Sequence, residues 1–180
     1  MGPHDPSDRF TYWPRTIARG GEVLVPDCAQ RPIQFVDVRD LVAWTMSMLE
    51  RSATGTCHVA GPEEPYTWPA FLERCRTAVG TPEATFVPVA EEFLREEEVG
   101  YWMDLPLWVP EEMEGMLAID VSRAIAEGMS FRPLEETARD TLAWDGTRPE
   151  DVEYKAGISQ ERHVALLERW HAGQRGAWGG

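Results

Sequence analysis

The tightest constraint on this chain is an alternation of strand-like runs with helical periods in which the strands are few and short. Glu22 to Pro26 is a short β-branched run. Ile33 to Val38 is a stronger strand candidate after the break at Pro32, and Gly55 to Ala60 (GTCHVA) and Ala84 to Val89 (ATFVPV) complete a set of about four. Helical periods surround them. Asp8 to Arg19 places Phe10, Trp13, Ile17 and Ala18 near a 3.6-residue spacing, with Asp5 or Ser7 as cap and Gly20-Gly21 as stop. Asp40 to Leu49 carries Leu41, Val42, Thr45, Met48 and Leu49 on one face. Thr67 can cap a helix through Phe71, Leu72, Cys75 and Val79 that stops at Gly80, and Ala90 to Glu98 is an acidic helix. Asp120 can cap Val121 to Glu127, Pro133 opens a helix that reaches Trp144, and Ser159 opens a last helix through Val164, Leu167 and Trp170. Tyr101 to Pro110 is apolar without a period and reads as an irregular lid or packing loop.

This order predicts an α/β fold, helix-rich with about four short strands. A doubly wound sheet has more strands, so these are expected to form the edge of a larger sheet. Residues 1–172 are read as one unit, and 173–180 (GQRGAWGG) as a disordered tail.

The formal net charge is −14, from 31 acidic against 17 basic residues. Such a balance repels phosphate backbones and anionic membranes, so neither nucleic acid nor a membrane is expected as a partner. No apolar run is long enough for a transmembrane helix. Cys28, Cys57 and Cys75 are odd in number and widely spaced, which suits reduced, mostly buried thiols and a cytoplasmic location. His4, His58, His163 and His171 show no metal-binding spacing, and no GxSxG turn supplies a hydrolase nucleophile.

Five short segments, taken in order, carry a family likeness: Gly2-Pro3 ahead of the helix from Asp8; Phe35-Val36-Asp37-Val38-Arg39-Asp40-Leu41; Asp120, Ser122, Arg123, Ala124 and Gly128; Pro133 to Thr137; and Trp144. Over Gly2 to Trp144 the chain resembles the extended short-chain dehydrogenase/reductase family of NAD-dependent epimerases, dehydratases and reductases, in the substrate-binding portion that follows the cofactor domain. The resemblance implies the C-terminal part of a Rossmann-like fold, NAD or NADP as the parent enzyme's cofactor, and oxidoreductase or epimerase chemistry at a carbon bearing oxygen.

The chain departs from that family where its chemistry lies. The cofactor fingerprint needs a glycine-rich turn between a strand and a helix. The matching spacing here, Gly173, Gly176 and Gly179, follows a helix at the terminus. The family's catalytic Tyr precedes a Lys by four residues; Lys155 is the only lysine, and position 151 is Asp. The chain is therefore expected to be a fragment, with no catalytic residue and no cofactor bound by itself. The arginine that sugar-nucleotide epimerases carry seven residues before the Asp-Leu is also absent, since Ile33 stands there.

The expected substrate contacts are Asp8, Arg9, Tyr12 and Arg15, with 8, 12 and 15 sharing a helix face at i, i+4, i+7, together with Asp37 and Arg39. The alternatives stay open at this point. The first group can be an ordinary surface stripe, and Asp37 and Asp40 can be a helix cap and a first-turn anion. The expected partners are a small-molecule substrate and either the missing N-terminal half or a second copy. The competing reading is a non-enzymatic α/β module that holds a small molecule or protein between the Tyr101–Pro110 loop and the first helix.

Overall fold

The computed structural model describes the backbone of residues 1–81 and 83–177, and side chains as far as Arg175. The chain is α/β. In order it forms helix α1 (Tyr12–Ala18), strand β1 (Glu22–Pro26), strand β2 (Pro32–Ile33), helix α2 (Val38–Glu50), strand β3 (Tyr66–Thr67), helix α3 (Trp68–Val79), strand β4 (Thr85–Val89) and helix α4 (Glu91–Glu96). A 3-10 segment at Glu111–Leu117 is followed by α5 (Ser122–Ala126), α6 (Leu134–Asp145) and α7 (Gln160–Ala177).

β1 and β4 pair in parallel, Glu22 opposite Thr85 through Pro26 opposite Val89. β2 and β3 form a two-residue antiparallel contact. The core lies between this strand pair and α1, α3, α6 and α7. Trp13 is its centre: its ring meets Trp68 and Phe71 edge-on at 5.1 and 6.2 Å, and its indole N–H donates to the Pro106 carbonyl at 2.7 Å. Edge-to-face contact adds to the burial of such rings, and the buried indole N–H keeps a partner.

β1, α3 and β4 fall where the sequence places them, but Asp5 and Ser7 do not cap α1, whose N-cap is Thr11, and α5 is preceded by Val121 with no side-chain cap from Asp120. Thr67 accepts from the Ala70 amide, and Gly80 closes α3 in the left-handed region. Ser159 accepts from the Arg162 amide at the start of α7. Four further readings change. The first helix starts at Tyr12, because Asp8 takes φ +58° and its buried carboxylate is used elsewhere. The expected strand Ile33–Val38 shrinks to Pro32–Ile33, because Asp37 caps α2 and Val38 is already helical. Gly55–Ala60 is not a strand; among the described residues it pairs with nothing. The last helix runs on through Ala177, past the point where the tail was expected to begin, and 178–180 lie outside the described residues.

The two edges of the strand pair differ, and among the described residues no further strand pairs with β4. Leu24 N–H donates to Nε2 of His163 on α7 at 3.0 Å, so a helix covers that side of β1. β4 carries Pro88, and a proline within a strand has no N–H to offer a further strand.

α2 is open to solvent along its length. Its 13 residues include none that is buried. Val38, Val42, Met46 and Leu49 are 41, 51 to 54 and 66% exposed respectively for the first, middle two and last. Polar contacts hold it at its start, through the Asp37 cap, and along its second half, where Trp44 Nε1 and Arg51 Nη2 donate to the Glu127 carbonyl at 3.1 and 2.8 Å. Among the described residues no helix is long and apolar enough to cross a membrane.

Candidate functional site

The six residues expected to contact substrate divide into two separate constellations. Asp37 and Arg39 belong to the first, at the start of α2. Asp37 is buried and caps the helix by accepting from the Arg39 amide at 2.9 Å. Its carboxylate also accepts from Arg39 Nε at 3.0 Å, Arg39 Nη2 at 2.7 Å and the Thr137 hydroxyl at 2.9 Å. Burial alone would raise this carboxyl. The hydrogen bonds from Arg39 and Thr137 outweigh it and hold Asp37 below the usual carboxylate range.

Arg39 reaches on to Asp140 of α6, while Arg132 pairs with Asp40 at 2.7 Å and Glu136 at 2.9 Å. This ion network fastens the start of α2 to the start of α6. The hollow beside it, between Phe35, Pro62, Tyr66 and Phe131, encloses about 10 Å³, room for one water at most. Asp37 and Arg39 thus spend their polar atoms on the chain itself.

Asp8, Arg9, Tyr12 and Arg15 form the second constellation, on and just before α1. They do not share one helix face, since Asp8 lies outside the helix. Asp8 is buried; one oxygen accepts from Arg148 at 2.6 Å and the other from the Lys155 amide at 3.0 Å. Tyr12 is buried, and that burial pushes its hydroxyl far above its ordinary pKa, so it stays a neutral phenol.

Two loops cover this side of α1. Gly157 N–H donates to the Met103 carbonyl at 2.6 Å and Ile158 N–H to the Asp104 carbonyl at 3.0 Å, which ties the loops together. Gly157, at φ +95°, lies so close to Tyr12 that a Cβ there would stand 2.0 Å from the ring. Arg15 stacks on Tyr154 with its guanidinium carbon 3.3 Å from the ring centroid, and Arg148 lies 4.8 Å from the same centroid. Arg9 lies over Trp102 at 5.4 Å. Tyr154 in turn donates to Asp145 at 3.0 Å.

Arg148, Tyr154 and Thr137 carry much of this geometry and were not singled out from the sequence. Arg148 and Tyr154 sit in the irregular 146–158 stretch, which has no motif. Thr137 could have been flagged only by knowing that α6 meets the α2 cap.

The space between the Tyr101–Pro110 loop and α1, where a binding module would hold its ligand, is filled. Leu105, Pro106, Leu107, Trp108 and Val109 are buried, and Pro106 takes the Trp13 hydrogen bond. An apolar hollow of about 220 Å³ lies elsewhere, between Pro26, Trp68, Leu72, Phe86 and Pro88, with Asp27 the one charged group at its wall. No group of three or more His, Cys, Asp or Glu is placed to hold a metal among the described residues.

Among the described residues no glycine-rich turn stands between a strand and a helix. Gly20 and Gly21 end a helix instead of opening one, β1 leads through Pro26 and Asp27 into a turn, and Gly173 lies inside α7. Comparisons with protein-family models, with curated proteins and with solved structures gave no match.

Proposed function

We propose that this chain is the substrate-binding portion of an NAD(P)-dependent oxidoreductase or epimerase of the extended short-chain dehydrogenase/reductase kind, and that it works against a separate nucleotide-binding unit seated on α2. The carrying observation is α2 itself. A helix with Val38, Val42, Met46 and Leu49 open to water, and no charged residue from Leu41 to Leu49, is unusual on a chain with 27% charged residues. Contiguous exposed apolar surface of this kind marks an interaction face. The segment 55–60 follows α2 in the chain, is exposed at Gly55, Thr56 and His58, and pairs with no strand among the described residues.

In this reading the nucleotide-binding unit supplies the dinucleotide cradle and the Tyr-Lys proton relay, and this chain supplies pocket wall. Cofactor binding therefore needs both parts. The test mixes the purified chain with the product of the reading frame upstream of the Met1 codon and follows nicotinamide fluorescence with NADH and NADPH. The expected result is enhancement with the pair, loss of it on Val42→Asp, and no enhancement with this chain alone. Tight NADH binding by the chain alone, an upstream frame without a glycine-rich turn, or a Val42→Asp variant that leaves the pair's binding unchanged would each overturn the proposal.

A further inference from the structure

The apolar hollow of about 220 Å³ lies where three elements converge. The end of β1 and the residue after it give Val25, Pro26 and Asp27; β4 gives Phe86 and Pro88; the first turns of α3 give Trp68, Pro69 and Leu72. Phe86 and Pro88 stand two apart on their strand and so share a face. The carboxyl ends of parallel strands are where α/β folds place ligands. The walls are also built to stay open. Prolines 26, 69 and 88 have no free rotation about φ. Trp68 is held edge-on by Trp13 at 5.1 Å and by Phe71 at 6.1 Å. Neither a proline ring nor a wedged indole turns inward to fill the space.

Size and charge select the occupant. A dry cavity of about 150 Å³ accommodates benzene, so the volume here takes one ring with a short tail. Trp68 and Phe86 favour an aromatic body, and their π faces favour a cation. Asp27 is the one charged group in the wall. Its amide donates to the Val89 carbonyl at 2.9 Å, which fixes the residue at the rim. Its carboxylate, exposed, makes no ion pair among the described residues. No basic residue lines the hollow; Arg76, 5.5 Å from the centre of the Phe86 ring, is paired with Glu73. The chain's net charge of −14 attracts cations and repels anions in the same sense.

We propose that this hollow binds a small aromatic amine: one ring seated against Trp68, Leu72 and Phe86, with a protonated amine on a short alkyl chain meeting Asp27 at the rim. The ring displaces water from apolar walls, which supplies most of the affinity. The ammonium meets the single carboxylate of the wall, which sets the preference among charges. The site takes no residue from α2 or from α1, so it goes beyond the function proposed above and does not rest on it.

The test is calorimetric titration of the full chain at pH 7 with phenethylamine, and in parallel with phenylethanol, phenylpropionate and propylamine. The expected result is saturable one-to-one binding of phenethylamine with a Kd of about 1 mM or tighter. The neutral alcohol should bind about five-fold more weakly, the equivalent of one solvent-exposed ion pair. The carboxylate, and the amine that lacks a ring, should bind more weakly still. Asp27→Asn should bring phenethylamine down to the alcohol's affinity and leave the alcohol unchanged. Ala29→Trp, at an exposed position on the rim, should block both. No saturation of the unaltered chain by about 10 mM phenethylamine would overturn the proposal. Propylamine binding as tightly would overturn it too, as mere attraction of cations to an acidic surface, and so would phenylpropionate binding as tightly. Unchanged phenethylamine affinity in Ala29→Trp, with native circular dichroism, would place the binding elsewhere and overturn it. These titrations need no second protein, so failure at α2 and failure here are distinguishable.

Discussion

Replacing Asp37 with alanine separates a structural role for this residue from a ligand-contacting one. The substitution removes the α2 cap, worth about 1 kcal/mol. It leaves the Thr137 hydroxyl, 1% exposed, without its acceptor, which costs about 1–3 kcal/mol. The pair with Arg39 adds about 0.5 kcal/mol, because that guanidinium is 34% exposed and water screens it. Together the loss comes to about 3 kcal/mol, or roughly 6–12 °C in Tm for a domain of this size. Asp37→Asn keeps a competent cap and should lose about half as much.

The pH dependence has a definite sign. Hydrogen bonds hold the folded carboxyl below its ordinary value of 3.8, so its stabilisation is present above that pH and disappears as the pH falls below it. The gap between the parent and Asp37→Ala should therefore narrow in acid. Urea melts at pH 7 and pH 3 measure both. A carboxylate held ready for a ligand would behave in the opposite way, since relieving its desolvation would leave stability unchanged or improved. A loss under about 1 kcal/mol at pH 7, or a gap as wide at pH 3 as at pH 7, would refute the structural assignment.

Burial and the nearby Arg19 hold the His163 imidazole below its ordinary 6.5, so stability should be complete above that pH and decline as the pH falls through the slightly acidic range. His163→Phe should flatten that decline and, by orphaning the Leu24 amide, cost about 1–3 kcal/mol in thermal melts from pH 5 to 8. Gly61→Ala places a Cβ 2.0 Å from the Phe131 ring and should lose about 1–3 kcal/mol, partly restored by Phe131→Leu; absence of any rescue in urea melts would locate the strain elsewhere. Cys28 and Cys75 are buried, with burial pushing the Cys28 thiol up to about 12, so Cys57 alone should react quickly with Ellman's reagent in native protein and all three after denaturation.

Local signals made most of the helices legible. Thr67 and Gly80 bracket α3, Ser159 starts α7, and Asp37 caps α2, each through a side-chain or glycine device that acts within four residues. The strands were less legible because their identity depends on neighbours. ATFVPV becomes β4 because β1 lies alongside it. GTCHVA also carries Thr and Val but has no strand neighbour among the described residues, and it stays irregular. The site was legible in part. Asp8 and Tyr12 were picked out as polar residues near one helix, but their burial is set by Arg148, Lys155 and Gly157, more than 130 positions away, and no periodicity reports contacts of that range.

α1 and α2 are packed in opposite ways. α1 lies inside a dense core, where Trp13, Phe10 and Ile17 are fully buried. α2 lacks apolar partners on the outside, and hydrogen bonds at its start and along its second half already hold it in place. A small polar molecule would gain little there, whereas another protein surface could bury Val38, Val42, Met46 and Leu49 together. A chain that docks on a second unit needs an exterior apolar helix of this kind for that unit to cover, whereas on a self-sufficient chain α2 would have been free to carry charge.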